Sequence, residues 1–291
     1  MTREQRSFAD AHGVRIHYYV WAASQPKAVL QLVHGLGEHA LRYQRLAEDL
    51  VEAGYTVWAD DHRGHGATGM EQYDGDASKL GRLGPGGMRA TIAQVQQLSA
   101  IAREENPGLP LVMIGHSWGS LMTQIILNRS SEQLDGVVLS GTALRTPAQM
   151  NSGDLNKRHR HTGTRTPYEW LSRDPATVAA ANADPLMFVA RAVPQFGVID
   201  AARLLGRPAR NIQHDVPVLI LIGSDDPLGG ETSVSLLAAD YVNRSGLSDV
   251  RAIVYRDARH EVFNEINRGE VVDDLLRWLD SRIAVHADAA G

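Results

Sequence analysis

The sequence predicts an α/β fold: a mostly parallel sheet flanked by helices and interrupted by an inserted helical segment. Three observations lead there. Short β-rich runs alternate with amphipathic stretches of helical length. The middle runs are near-continuously apolar, as strands covered on both faces require. One interval, residues 141–215, holds no comparable strand, although connections between strands are normally short.

Strands are expected at residues 14–21, 28–33, 55–59, 111–114, 136–139, 218–222 and 251–255. Helices are expected between them at 43–53, 87–104, 120–128, 233–242 and 270–283. The strandless interval opens polar and basic with Lys157-Arg158-His159-Arg160-His161. It continues with helical stretches at 177–183 and 185–192 and ends with 201–205. Its second half carries too much Leu, Val, Phe and Met for a disordered linker. Residues 1–142 and 214–291 are therefore expected to form the core, and 143–213 a helical cap inserted into it.

At roughly 100–200 residues per domain, 291 residues suit one large domain or two small ones. With 43% hydrophobic and 22% charged residues, the composition is that of a globular protein, not of a disordered or fibrous chain. A formal charge of −5 gives a field that repels phosphate backbones, which argues against a nucleic-acid partner. The absence of cysteine removes disulfides, zinc ribbons, iron–sulfur ligation and thiol nucleophiles. The N-terminus has no apolar h-region, and apolar runs such as 216–222 fall far short of the ~18 residues of a membrane span. The expectation is a cytoplasmic protein with no signal peptide and no span.

The sharpest chemical signal is Gly115-His116-Ser117-Trp118-Gly119, which follows an apolar strand and precedes a helical pattern. That is the context of a nucleophile elbow, where small residues on both sides let a crowded turn lift the serine hydroxyl above the sheet edge. A second signal, Val33-His34-Gly35-Leu36-Gly37-Glu38-His39, also follows a strand. In acyl transfer, backbone amides at such a turn can bind the carbonyl oxygen as it becomes an oxyanion, which makes the amides of Leu36 and Trp118 candidates. The same stretch also fits a dinucleotide fingerprint, Gly35-x-Gly37-x-x-Ala40 with Asp60 as the ribose-binding acid. That reading leaves Gly115 to Gly119 without a role and puts a bulky histidine before the first glycine.

Two aspartates, Asp225 and Asp226, follow the strand at 218–222, where a carboxylate can reach a histidine on a neighbouring loop; a plain Asp-Pro turn is the competing explanation. His260 follows the last expected strand and completes the chain order Ser, Asp, His. As general base it would accept the Ser117 proton. Metal readings are weaker: His260-Glu261-x-x-Asn264 lacks a second histidine, and His62-x-x-His65 lacks further ligands nearby. Gly84-Pro85-Gly86-Gly87 lacks the Lys-Ser/Thr of a phosphate loop and reads as a turn before a helix.

Together these strings resemble the α/β-hydrolase superfamily. His34-Gly35-Leu36-Gly37-Glu38-His39 with Arg42-Tyr43, Asp61-His62-Arg63-Gly64-His65-Gly66 and the Ser117 elbow resemble its monoacylglycerol lipase and lysophospholipase group, also described as serine aminopeptidase-like. So do Tyr168-Glu169-Trp170-Leu171-Ser172-Arg173-Asp174 and Arg259-His260-Glu261 with Asn264-Glu265. The resemblance implies an α/β-hydrolase fold, Ser117 as nucleophile, His260 as base and Asp226, directly before Pro227, as the orienting acid. It implies cofactor-free hydrolysis of small monoesters such as monoacylglycerols or lysophospholipids, with transient contact at a membrane surface compatible. Trp118 departs from the Met or Gln common in relatives and is expected to narrow the acyl or alcohol pocket. The rival functions are an NAD(P)-dependent oxidoreductase and a non-catalytic binding protein on a hydrolase fold.

Overall fold

A computed structural model describes residues 3–162, 165–189 and 191–283. Among them the strands are β1 (Arg3–Ala9), β2 (Arg15–Trp21), β3 (Val29–Val33), β4 (Thr56–Asp60), β5 (Leu111–His116), β6 (Gly136–Ser140), β7 (Val218–Gly223) and β8 (Val250–Tyr255). They form one sheet in the order β1-β2-β4-β3-β5-β6-β7-β8. β1 and β2 pair antiparallel, as do β2 and β4, and every later pairing is parallel. The fold is the α/β-hydrolase architecture expected from the sequence.

The apolar runs divide by the period of two that a strand imposes. Leu30, Leu32, Val112, Ile114, Leu219 and Leu221 face one core with Leu46 and Leu50 of α1 (Gln44–Glu52) and Val271, Leu275 and Leu279 of α8 (Arg268–Arg282). Met113, Val137, Leu139, Ile220 and Ile222 face the other. There they meet α3 (Gly87–Glu105), α4 (Trp118–Ser130) and α7 (Gly230–Asn243) through Met88, Ile125 and Leu237. Gln31 is the polar exception in β3: its amide donates to Val95 O at 2.9 Å and accepts from Ser99 at 2.5 Å, so it is buried without an unmet bond.

Parallel pairing brings the C-terminal ends of β3, β5, β6 and β7 to one edge, with Val33 opposite Gly115, His116 opposite Ser140 and Ser140 opposite Leu221. The loops that leave this edge carry residues 34–39, 117, 141 onward and 224–226. α2 (Gly66–Gln72) starts just beyond the corresponding end of β4.

Residues 141–217, between β6 and β7, hold α5 (Pro175–Ala183) and α6 (Ala192–Ala202). α5 starts where Asp174 accepts the Ala176 N–H at 2.9 Å with Pro175 at the first helical position, a standard start signal. α6 is broken at Gly197, whose φ is 78°. Tyr168, Trp170, Leu171, Val178 and Ala181 give this segment a small apolar cluster of its own.

Two expectations need correction. The helix expected over residues 185–192 does not form among the described residues; Ala190 lies outside them. Asp184 accepts the Leu186 N–H at 2.8 Å, and the Phe188 N–H goes to Gly37 O at 3.1 Å, so the backbone donors are spent on a side chain and on another loop. The second is β1, which the sequence does not announce: its alternation is between exposed and half-buried residues, and it exists by pairing with β2. Among the described residues no helix is long and apolar enough to cross a membrane, and no group of three or more His, Cys, Asp or Glu side chains is arranged to hold a metal ion.

Candidate active site

Ser117 sits between β5 and α4 with φ 52° and ψ −123°, a backbone state that costs an ordinary residue about 1–3 kcal/mol. Its neighbours show why the turn closes. A Cβ on Gly119 would lie 2.0 Å from Val33 O, and one on Gly115 would lie 2.5 Å from Thr123 Oγ1. Only glycine lets β3, β5 and α4 approach this closely. The Ser117 N–H is bonded to Ser140 O at 2.9 Å and its carbonyl receives the Ser120 N–H at 2.9 Å. The side chain is partly exposed, with no hydrogen bond from its hydroxyl among the described residues.

His260, fully buried, arrives on the loop after β8. Its Nδ1 lies 2.9 Å and 3.0 Å from the two carboxylate oxygens of Asp226. Its Nε2 is buried and has no partner among the described residues. Burial opposes the imidazolium, but Asp226 and then Glu261 and Glu38 outweigh it, and the pKa of His260 is raised. The ring is clamped between Trp170, 4.6 Å away, and His116, 4.7 Å away. His116 is itself held neutral, first by burial and then by the neighbouring His260. Asp226 also accepts the Leu228 N–H at 2.8 Å.

Asp225 turns the other way. It pairs with Arg158 at 2.7 Å and lies 3.6 Å from His159, both from the segment between β6 and β7. Of the two candidate acids, only Asp226 meets His260.

The amides of Leu36 and Trp118 have no acceptor among the described residues. Trp118 opens α4, where the first N–H groups lack intrahelical partners and the helix dipole favours negative charge. The Leu36 amide is aimed from behind. His34 Nε2 accepts the His62 N–H at 3.0 Å, so the proton sits on Nδ1, which donates to Gly35 O at 2.8 Å. That fixes the Gly35–Leu36 peptide plane, whose N–H and C=O point in opposite directions. Burial, then the charges His62 and His65 would carry, keep His34 neutral.

Ser117, Leu36 and His260 line a cavity of about 50 Å³ together with Glu38, Tyr168 and Trp170. Ser117 and Leu36 also line an adjoining apolar lobe of about 90 Å³, walled by Trp118, Leu121, Met150 and Leu204. The segment between β6 and β7 supplies part of both walls. Asp60, the acid of the dinucleotide reading, is fully buried and bonded to His62 Nδ1 at 2.7 Å and to Gln94.

Sequence reasoning gave no role to Glu38, Arg42, Glu261 or Trp170. Trp170 lies in a segment that only the fold brings over His260. Glu38 and Arg42 did carry a local sign, an acid four residues before a base at a helix entry.

A family model described as Serine aminopeptidase, S33, matches residues 24–267. A monoacylglycerol lipase from Mycolicibacterium smegmatis is 33% identical over 97% of this chain and 99% of its own. The monoglyceride lipase of Homo sapiens is 27% identical over 91% of this chain and 86% of its own. Among solved structures, a thermostable carboxyl esterase from Bacillus coagulans in complex with glycerol superposes with a TM-score of 0.79, at 25% identity over 97% of this chain and 99% of that one. The chain thus belongs to the serine aminopeptidase S33 family, in the monoacylglycerol lipase-like group of α/β-hydrolases, and is a carboxylic ester hydrolase.

Proposed function

We propose that Ser117, His260 and Asp226 hydrolyse monoesters of the monoacylglycerol or lysophospholipid kind through an acyl-enzyme. The observation that carries the reading is the Asp226–His260 pair at 2.9 Å, which leaves His260 Nε2 unpartnered at a cavity shared with the unbonded Ser117 hydroxyl.

As Ser117 Oγ attacks the ester carbonyl, His260 Nε2 takes its proton, and Asp226 stabilises the imidazolium through Nδ1. The carbonyl oxygen becomes an oxyanion that accepts the N–H groups of Leu36 and Trp118. Collapse breaks the bond to the alcohol, which leaves with the proton from His260. Water then gives a proton to His260 and its hydroxyl to the acyl carbon; on collapse Ser117 recovers the proton and the acid departs.

Residues 143–213 act in this reading as a cap: their own apolar cluster and their share of the cavity wall suit a lid that limits water and selects one acyl chain. Exposed Val198 and Ile199 on α6 suit transient contact with a lipid surface. The cysteine-free sequence suits the cytoplasm.

Ser117→Ala tests the reading. It abolishes turnover of p-nitrophenyl esters while the protein stays folded, and a fluorophosphonate adds its mass at Ser117 in the parent protein. Wild-type turnover in the variant overturns the assignment. Absence of the label from Ser117 removes it as the nucleophile.

A further inference from the structure

Three charged side chains beside the cavity, Glu38, Arg42 and Glu261, are between 4% and 8% exposed. Glu38 Oε1 accepts the Gly35 N–H at 2.5 Å and the Tyr43 hydroxyl at 2.8 Å, and its Oε2 lies 3.3 Å from Arg42 Nε. Arg42 Nη2 reaches both oxygens of Glu261, at 2.8 Å and 2.5 Å. Glu261 also takes the Asn264 amide at 3.0 Å. An apolar filling of the same shape often stabilises a fold as well as such a buried ion group, so folding alone is a weak reason for it.

The ends of the group give a stronger one. At one end Glu38 touches Gly35, where an added Cβ would lie 2.7 Å from Glu38 Oε1 and 3.0 Å from the Ser117 Cβ. Gly35 is therefore packed between Glu38 and Ser117, with its N–H held by Glu38 and its C=O by His34. Those two bonds fix the loop that carries the Leu36 amide. At the other end Glu261 follows His260 in the chain, and its own N–H is bonded to Leu171 O at 2.8 Å. The loop that aims His260 is thus tied through Arg42 to the loop that aims the oxyanion donor, across 219 residues of sequence.

We infer that the buried Glu38–Arg42–Glu261 bridge holds the Leu36 amide and the His260 imidazole in register about Ser117, with Glu38 as the positioning residue of the oxyanion loop. The inference rests on the ester-hydrolase reading above. Glu38 transfers no proton in it; the residue acts through Gly35. Loss of the bridge weakens binding of the oxyanion more than binding of the ground-state ester, so it lowers kcat more than it raises KM.

The test uses the full chain and p-nitrophenyl butyrate. Glu38→Ala lowers kcat on the order of 100-fold, the scale of a lost oxyanion donor, with KM changed less than about threefold. Glu38→Gln, which keeps an acceptor for Gly35 and Tyr43, restores kcat to within about tenfold of the parent. Glu261→Ala also lowers kcat, and the double variant Glu38→Ala/Glu261→Ala is far less damaged than the product of the two losses, because one bridge is broken in both. Circular dichroism and Tm confirm that each variant compared is folded; if Glu38→Ala is not, Glu261→Ala takes its place, and parental kcat in that folded variant overturns the bridge. Ser117→Ala is run beside them. If it keeps wild-type turnover, the assignment of Ser117 as nucleophile fails, and the bridge about it with it. If it is inactive while Glu38→Ala is folded with parental kcat, or while the two losses multiply, the bridge alone is overturned. A Glu38→Gln variant as slow as Glu38→Ala also overturns the positioning role.

Discussion

The indole of Trp118 packs 5.0 Å from the ring of Phe196, so the residue directly after Ser117 touches α6 and closes the apolar lobe beside the hydroxyl. His65, 5.1 Å from the same indole, fixes it from the core side. A wall held from two sides limits the length of chain that fits, whereas the backbone amide of residue 118 is independent of its side chain. Trp118→Met is therefore expected to raise kcat/KM for p-nitrophenyl decanoate relative to acetate by about tenfold, the scale of a hydrophobic pocket contact. The truncation costs about 1–3 kcal/mol of stability. A panel graded by acyl length checks the ratio; an unchanged profile would put the wall elsewhere.

Asp225 and Asp226 are adjacent in sequence and opposite in engagement. Asp226→Asn leaves His260 without a carboxylate on Nδ1 and is expected to lower kcat by about 10⁴-fold. Asp225→Asn removes a partly exposed ion pair to Arg158 and is expected to change kcat by less than about threefold. In the proposed mechanism activity needs neutral His260, so kcat/KM is expected to rise as pH rises through its pKa, which burial lowers but Asp226 raises further. In Asp226→Asn the acid limb consequently moves to lower pH. The reverse order of damage between the two variants would assign the acid to Asp225.

Those two aspartates mark where sequence reading ends. The turn at Ser117 was legible because its cause is local: Gly115 and Gly119 are demanded by backbone atoms within the same strand, turn and helix and by the neighbouring β3. The buried parallel strands were legible because both faces need apolar residues. Which aspartate meets His260 depends on contacts with Arg158 and with the loop after β8, and no local pattern carries that; the family string selected Asp226. β1 was hidden because an edge strand needs only a partner, not an apolar face. The expected helix over 185–192 failed because Gly37, some 150 residues earlier, takes the Phe188 N–H. Glu38, Arg42 and Glu261 acquire meaning only when the chain closes on itself.

Val198 and Ile199 are 71% and 72% exposed on α6, the helix whose Phe196 reaches Trp118. On the proposed reading, these two large apolar side chains in water suit contact with a lipid interface. The double variant Val198→Ser/Ile199→Ser is expected to lose activity several-fold on emulsified long-chain monoacylglycerol and to keep kcat/KM on soluble p-nitrophenyl butyrate. As exposed positions they should shift stability by about 0.5 kcal/mol or less. Equal rates on the emulsion would leave this face without a role in substrate delivery.

Acid is expected to unfold the protein through histidines rather than through the pair at the active site. Burial, ahead of neighbouring charges, drives His34 and His116 well below the usual histidine range and His65 to about 3. In the unfolded chain each titrates near 6.5. As pH falls below about 6.5 the unfolded state gains protons that the folded state refuses, and stability drops by up to about 1.4 kcal/mol per pH unit for each such imidazole. His260 has the opposite sign: with its folded pKa raised, its contribution is present below 6.5 and is lost as pH rises through the folded value. His159, lowered by burial, shares the sign of the other three, so among the histidines one stands against four and their net is a loss on acidification. The urea midpoint should accordingly fall between pH 7.5 and 5.5, read by tryptophan fluorescence. His65→Phe keeps the ring beside Trp118 and Phe188 while removing one of these sites. It should make the acid slope shallower by about one proton, at a neutral-pH cost of about 1 kcal/mol for the lost bond to Arg63 O. An unchanged slope would mean that His65 already carries its proton in the native state.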